Sequence, residues 1–200
     1  MRNTYIRMLC VIFFEKMRVV ILIVTLTSIS SGLCSGQRTD TLRSKYHYYY
    51  LADLDLRTVG QWILKDSIAP SDNYITFKCM DSLTSKQKKT RDYYFPIFIK
   101  IVDKADGALA EVVGSHALSY AKKYPKELAD RFKCCSTTQE CCTELERFSS
   151  YVGTEIMMAD DDKKAYNDLV NEMTKNYRDW KTNKTLKVLI DKVDEIRRTW

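Results

Sequence analysis

The sequence predicts an all-α protein, a single-domain bundle of about six or seven amphipathic helices, with a short α-solenoid-like stack of helical hairpins as the alternative architecture. Three observations lead there. Six Gly and three Pro in 200 residues leave little punctuation for the many tight turns of an all-β fold. Apolar residues recur at helical intervals along most of the chain, and no run alternates as a strand would. A hydrophobic share of 45% beside 29% charged residues suits one domain with a real core. The absence of a repeat of about 34 or 40 residues favours the bundle over the stack.

Residues 1–36 read as a secretory signal peptide and 37–200 as the helical domain. Arg2, Arg7, Lys16 and Arg18 precede the apolar run Val19 to Leu26, and small residues follow up to Gly36. The apolar segment ends by Leu33, short of the roughly 20 residues a membrane-spanning helix needs, so no stable membrane span is expected after signal cleavage. Met17 makes a more economical start than Met1. Cleavage after Gly36 would place Cys34 and Gly36 where the peptidase inspects small side chains, and Gln37 would begin the mature chain. Acylation of Cys34 is disfavoured because Leu33 occupies the position where a lipobox carries a small residue.

From Gln37 the chain is polar, then aromatic through Tyr46, His47, Tyr48, Tyr49 and Tyr50, a run that packs as a helix start or forms a contact surface. Leu51, Leu54, Val59, Trp62 and Ile63 define a helix ending near Lys65, with Trp62 expected in the core. Ser71 or Asp72 is placed to cap a short helix carrying Ile75, Cys79, Met80 and Leu83. Tyr94, Ile97, Phe98, Ile101, Val102 and Ala105 follow the helical template without a miss. Pro96 inside that pattern implies a kink there or a start near Asp92. After Asp106-Gly107 a second stripe, Leu109, Val112, Val113, His116, Ala117 and Tyr120, is expected to form a tight hairpin with the first.

Pro125 suits the first position of a third helix, whose buried face is Leu128 and Phe132. Thr137 and Glu140 have capping-box spacing ahead of Leu145, Phe148, Val152 and Ile156. Asp160-Asp161-Asp162 opens the next helix, with Tyr166, Leu169, Val170, Met173, Tyr177 and Trp180 on its stripe. Asn183 punctuates, and Leu186, Leu189, Ile190, Val193, Ile196 and Trp200 supply a packed C-terminal helix.

In an exported chain the cysteines of the mature part, Cys79, Cys134, Cys135, Cys141 and Cys142, are disulfide candidates. Adjacent cysteines rarely bond to each other, and the expected set is one bridge from Cys79 into the cluster and one across its turn. A zinc site is the rival, but ligand pairs normally enclose spacers of two to four residues. A redox role would want Cys-x-x-Cys, which this chain does not contain. The doubled cysteines following Tyr120-Ala121-Lys122-Lys123-Tyr124-Pro125 resemble the paired cysteines that join helices in serum albumins. The resemblance spans about twenty residues without that family's repeats and spacing, so it implies no function.

Residues 37–200 hold 28 basic and 25 acidic residues, a net of +3, with no basic stripe interleaved with aromatics, so no nucleic-acid partner is expected. Lys86-Gln87-Lys88-Lys89 reads as a solvated helix start. No cofactor, metal or catalytic motif is predicted: no serine lies in a Gly-x-Ser-x-Gly elbow, and the three aspartates lack the alternating pattern of a calcium loop. Asn183-Lys184-Thr185 fits the N-glycosylation triplet. Asp40-Thr41-Leu42, Asp66-Ser67-Ile68 and Asp81-Ser82-Leu83 resemble the acidic-hydroxyl-aliphatic sites carried by exported proteins of some Gram-negative bacteria. The expected function is therefore that of a secreted or periplasmic, non-enzymatic helical protein that binds another macromolecule, most simply a protein. The alternative is a small helical-bundle enzyme or ligand carrier with an interior site at His116, Glu111 and Tyr120.

Overall fold

The apolar periodicities resolve into eight α-helices and two 3-10 turns in the computed structural model, which describes residues 55–133 and 139–199, the side chains of 139–141 excepted. In chain order these are α1 (Leu56–Leu64), α2 (Tyr74–Asp81), a 3-10 turn (Ser82–Thr84), α3 (Lys88–Lys104), α4 (Gly107–Lys123) and α5 (Pro125–Arg131). After the cysteine segment come α6 (Gln139–Met157), α7 (Asp162–Asn176), a second 3-10 turn (Arg178–Thr182) and α8 (Lys184–Arg198). There is no strand among the described residues, and the fold is an all-α bundle. None of the described helices is long and apolar enough to cross a membrane.

Helix starts follow local chemistry. Asn73, rather than Ser71 or Asp72, caps α2: its Oδ1 accepts from the Thr76 N–H at 2.9 Å while its Nδ2 donates to Ser71 Oγ at 2.7 Å. Asp161 caps α7 through the Lys164 N–H, and Asn183 caps α8 through the Leu186 N–H. Pro125 stands at the first turn of α5, where a missing N–H costs nothing. Thr137 of the expected capping box lies outside the described residues. The aspartate run and the basic run are both helix starts, with Lys88 pairing along its own helix to Asp92 at 2.8 Å.

Pro96 neither ends α3 nor sets its start. The helix begins at Lys88 and runs through the proline, whose ring faces solvent while Tyr94, Phe95, Ile97, Phe98, Ile101 and Val102 face inward. Eight buried positions on α3 form a face too broad for one neighbour, and this is why the expected tight hairpin with α4 does not form. Helix α3 packs on α1, the Ser82–Thr84 turn and α6, whereas α4 lies against α6 and α7.

Helix α6 is the hub. It meets α8 and α4 along much of its length and also touches α3 and α7. A helix surrounded in this way is incompatible with a stack in which each hairpin meets only its sequence neighbours. Two glycines allow close approach at the hub: a Cβ on Gly153 would stand 2.9 Å from Ile196 Cδ1, and one on Gly114 would stand 3.2 Å from the Tyr151 carbonyl. The hub's inner residues, Leu145, Phe148, Val152 and Ile156, are at most 1% exposed, as their spacing predicts.

Aromatic rings link the helices through this core. Phe98 meets Phe148 edge-on at 6.2 Å, Phe148 meets Phe132 at 5.9 Å, Phe132 meets Phe95 at 5.7 Å, and Phe95 meets Tyr120 at 5.4 Å. Trp62 is not part of this core. The contact line of α1 runs through Val59, Gly60 and Ile63, with Gly60 against Ile97, which turns position 62 to the flank and leaves it 37% exposed. The stripe of α7 also breaks earlier than its sequence implies: the helix stops at Asn176, and Trp180 is buried from the second 3-10 turn, its Nε1 donating to Thr174 Oγ1 at 2.8 Å.

Candidate functional site

The cysteines have separate fates. Cys79 is a free thiol buried in α2 at 1% exposure, so the bridge from Cys79 into the cluster is not made. Burial in apolar surroundings pushes the thiol up to about 12, which leaves it neutral and unreactive. Its i, i+4 partner on the inner face is Leu83, and the position is a core position. Cys134 and Cys135 lie outside the described residues. Cys141 is on the first turn of α6 with its side chain undescribed, and Cys142 is half-buried in a cavity wall. The contact surface expected at Tyr46, His47, Tyr48, Tyr49 and Tyr50 also lies outside the described residues.

The three residues expected to share an interior pocket do not converge. Glu111 is exposed. Tyr120 is fully buried within the aromatic core, its hydroxyl close to Arg131 without a hydrogen bond of good geometry, and burial pushes its ionisation up to about 12. His116 is mostly buried between α4 and α2: Nδ1 lies 3.0 Å from the Val112 carbonyl and Nε2 lies 3.2 Å from Asp81 Oδ1. Of the charged groups near it, Glu155 on α6 has its carboxyl raised by burial, an effect the histidine partly offsets. Among the described residues no group of three or more His, Cys, Asp and Glu is arranged to hold a metal ion.

Two concavities stand out instead. The first, of about 640 Å³, is an open groove bounded by α1, α3, α5 and α6. Leu64, Phe95, Pro96, Ile99 and Val102 make its floor, because Pro96 and Ile99 flank the inward stripe of α3 and bring apolar surface to the edge of the bundle. Its rim is charged and internally paired: Lys100 with Asp66 at 2.6 Å, Arg147 with Asp103, and Arg131 with Asp92. The Arg131 guanidinium also lies 4.8 Å above the Phe95 ring. The hydrogen bond from Lys100 holds the Asp66 carboxyl below its usual range, and that from Lys88, reinforced by Arg131, does the same for Asp92. These two carboxyls therefore stay ionised at neutral pH.

The second cavity, of about 660 Å³, lies where α5, the start of α6 and the start of α8 meet. Leu145, Ala129 and Val188 are its apolar lining, and Asp130, Glu146, Asn183, Lys184 and Thr185 its polar edge. Asn183 of the glycosylation triplet is engaged here as the α8 cap, and Thr185 Oγ1 reaches the Phe132 carbonyl at 3.5 Å.

A polar cluster that the sequence does not announce lies at the start of α3. Arg91, 5% exposed, donates from Nε and Nη2 to both oxygens of Glu127 at 3.0 and 2.5 Å and from Nη1 to the Ser85 and Lys86 carbonyls, and it stacks 3.9 Å from the Tyr124 ring. Four of the five N–H donors are used in these bonds, and the cluster joins α3 to α5. The signal for it was faint: a charge three residues before Tyr94, with its partner 36 residues away. No protein-family model, curated protein or solved structure matches the chain.

Proposed function

We propose that this is an exported, non-enzymatic helical protein that binds another protein in the cell envelope or outside the cell. The observation that carries the reading is the groove along α3, where an apolar floor is framed by pre-paired charges on a rigid scaffold. A partner that covers Pro96 and the half-buried Leu64 buries apolar surface there, and the rim ion pairs keep their partners as water leaves. Export is supported by the basic-then-apolar start of the sequence and the small residues up to Gly36. In an oxidising compartment Cys134, Cys135, Cys141 and Cys142 are the natural disulfide set, with Cys79 excluded.

A photo-crosslinking residue at position 96, with position 188 as comparison, tests the reading in cells that make the full chain. The expected result is one dominant protein adduct from position 96, lost when Pro96→Asp is introduced into a chain cross-linked from position 64. The intact mass of the same sample should show loss of residues 1–36 and of four hydrogens. A full-length mass, or a co-purifying small molecule with no protein adduct, would overturn the proposal.

A further inference from the structure

We propose that His116 is a pH-operated clasp that, when doubly protonated, fastens the end of α2 to α4. Both ring nitrogens face groups that only accept hydrogen bonds: Nδ1 the Val112 carbonyl at 3.0 Å, Nε2 the Asp81 carboxylate at 3.2 Å. A neutral imidazole carries one N–H, so either tautomer leaves one of these contacts without a proton. Only the imidazolium donates to both.

The surroundings match a cation. From α2 the ring faces Asp81, whose other oxygen is 3.8 Å from Lys78. From α6 the nearby group is Glu155, whose carboxyl is raised by burial, an effect that His116 partly offsets. On α4 itself the Ser115 hydroxyl is 3.5 Å from Nδ1 but already donates to the Val112 carbonyl at 2.9 Å. Two carboxylates and one carbonyl therefore stand around the ring, against a single ammonium on the far side of Asp81.

The clasp closes on an element that needs it. Helix α2 has eight residues and buries only Thr76, Cys79 and Met80, and Asp81 is its last residue before the Ser82–Thr84 turn. That turn leads into the Ser85 and Lys86 carbonyls that hold Arg91. Histidine is the side chain that changes charge between about pH 5 and 8. With the imidazolium both bonds are made and α2 is held; with the neutral ring one bond is lost and α2 opens more often.

The chain has two histidines, so the assay is direct. Hydrogen exchange of peptides spanning 74–84 in the full chain, corrected for the intrinsic effect of pH, should show protection about three- to tenfold greater at pH 5.5 than at pH 8. Ring nitrogen shifts should identify His116 as imidazolium at the lower pH, with His47→Gln used for assignment. His116→Gln, which can still donate once to Asp81, and Asp81→Asn at an exposed site should each abolish the pH response. Equal protection at both pH values, or an unchanged response in Asp81→Asn, would overturn the clasp.

Discussion

Cys79 and Tyr120 are ionisable groups placed where ionisation is least welcome. Burial pushes Cys79, Tyr120 and Tyr94 up to about 12, from ordinary values of 9.0 for the thiol and 10.0 for the phenols. The unfolded chain loses these protons first as pH rises, so the folded state holds more protons in the window between. Their contribution is fully present below pH 9 and is lost as pH climbs towards 12. Tyrosinate absorbance should accordingly show phenols that resist ionisation until the helical signal collapses near pH 12. Alkylation followed by mass spectrometry should leave Cys79 unmodified in native protein and modify it in denaturant. A thiol that reacts at the same rate in both would contradict its placement. The core role of Cys79 was legible in its spacing with Leu83; export chemistry pointed the other way, because a cysteine reads equally well as a small hydrophobe and as half a bridge.

Among the elements, α6 shows how far periodicity reaches. Its inner stripe is legible residue by residue, yet its role as hub depends on Gly114 and Gly153, which carry no apolar signal. Gly153→Ala gains about 1 kcal/mol of helix propensity, but its Cβ meets Ile196 Cβ at 3.1 Å as well as the Cδ1 tip. The β-branched Ile196 side chain cannot swing away at its own Cβ, so overpacking of about 1–3 kcal/mol outweighs the gain. Gly153→Ala should lower the urea midpoint with little change in slope, and Gly153→Val should lower it further. The α3–α4 hairpin is the opposite case: a short connection predicted a close pair, but the breadth of the apolar face on α3 spread its contacts over α1, α2, the Ser82–Thr84 turn and α6.

At the scale of the molecule, the aromatic chain makes the bundle one cooperative unit. Phe148 is fully buried and touches Phe98 and Phe132, so Phe148→Ala should cost about 3–5 kcal/mol in equilibrium unfolding and loosen α3, α5 and α6 together. Hydrogen exchange across these helices would check this; loss of protection confined to α6 would contradict it. The groove belongs to this scale as well, since its walls come from four helices, and no window of sequence shorter than the stretch from Leu64 to Arg147 contains it.

By itself, the sequence determined the helical class, the existence of most of the helices and the inward residues of α4, α5, α6 and α8. These are local properties: a 3.6-residue period and a handful of capping side chains specify them within one or two turns. Only the tertiary structure decided that α6 is the hub, that Trp62 lies on a flank, that Cys79 stays a thiol, and that His116 meets Asp81 rather than Glu111 and Tyr120. Those outcomes depend on which faces fit at close range across 30 or more residues of chain, and packing of that kind leaves no periodic trace in the order of the amino acids.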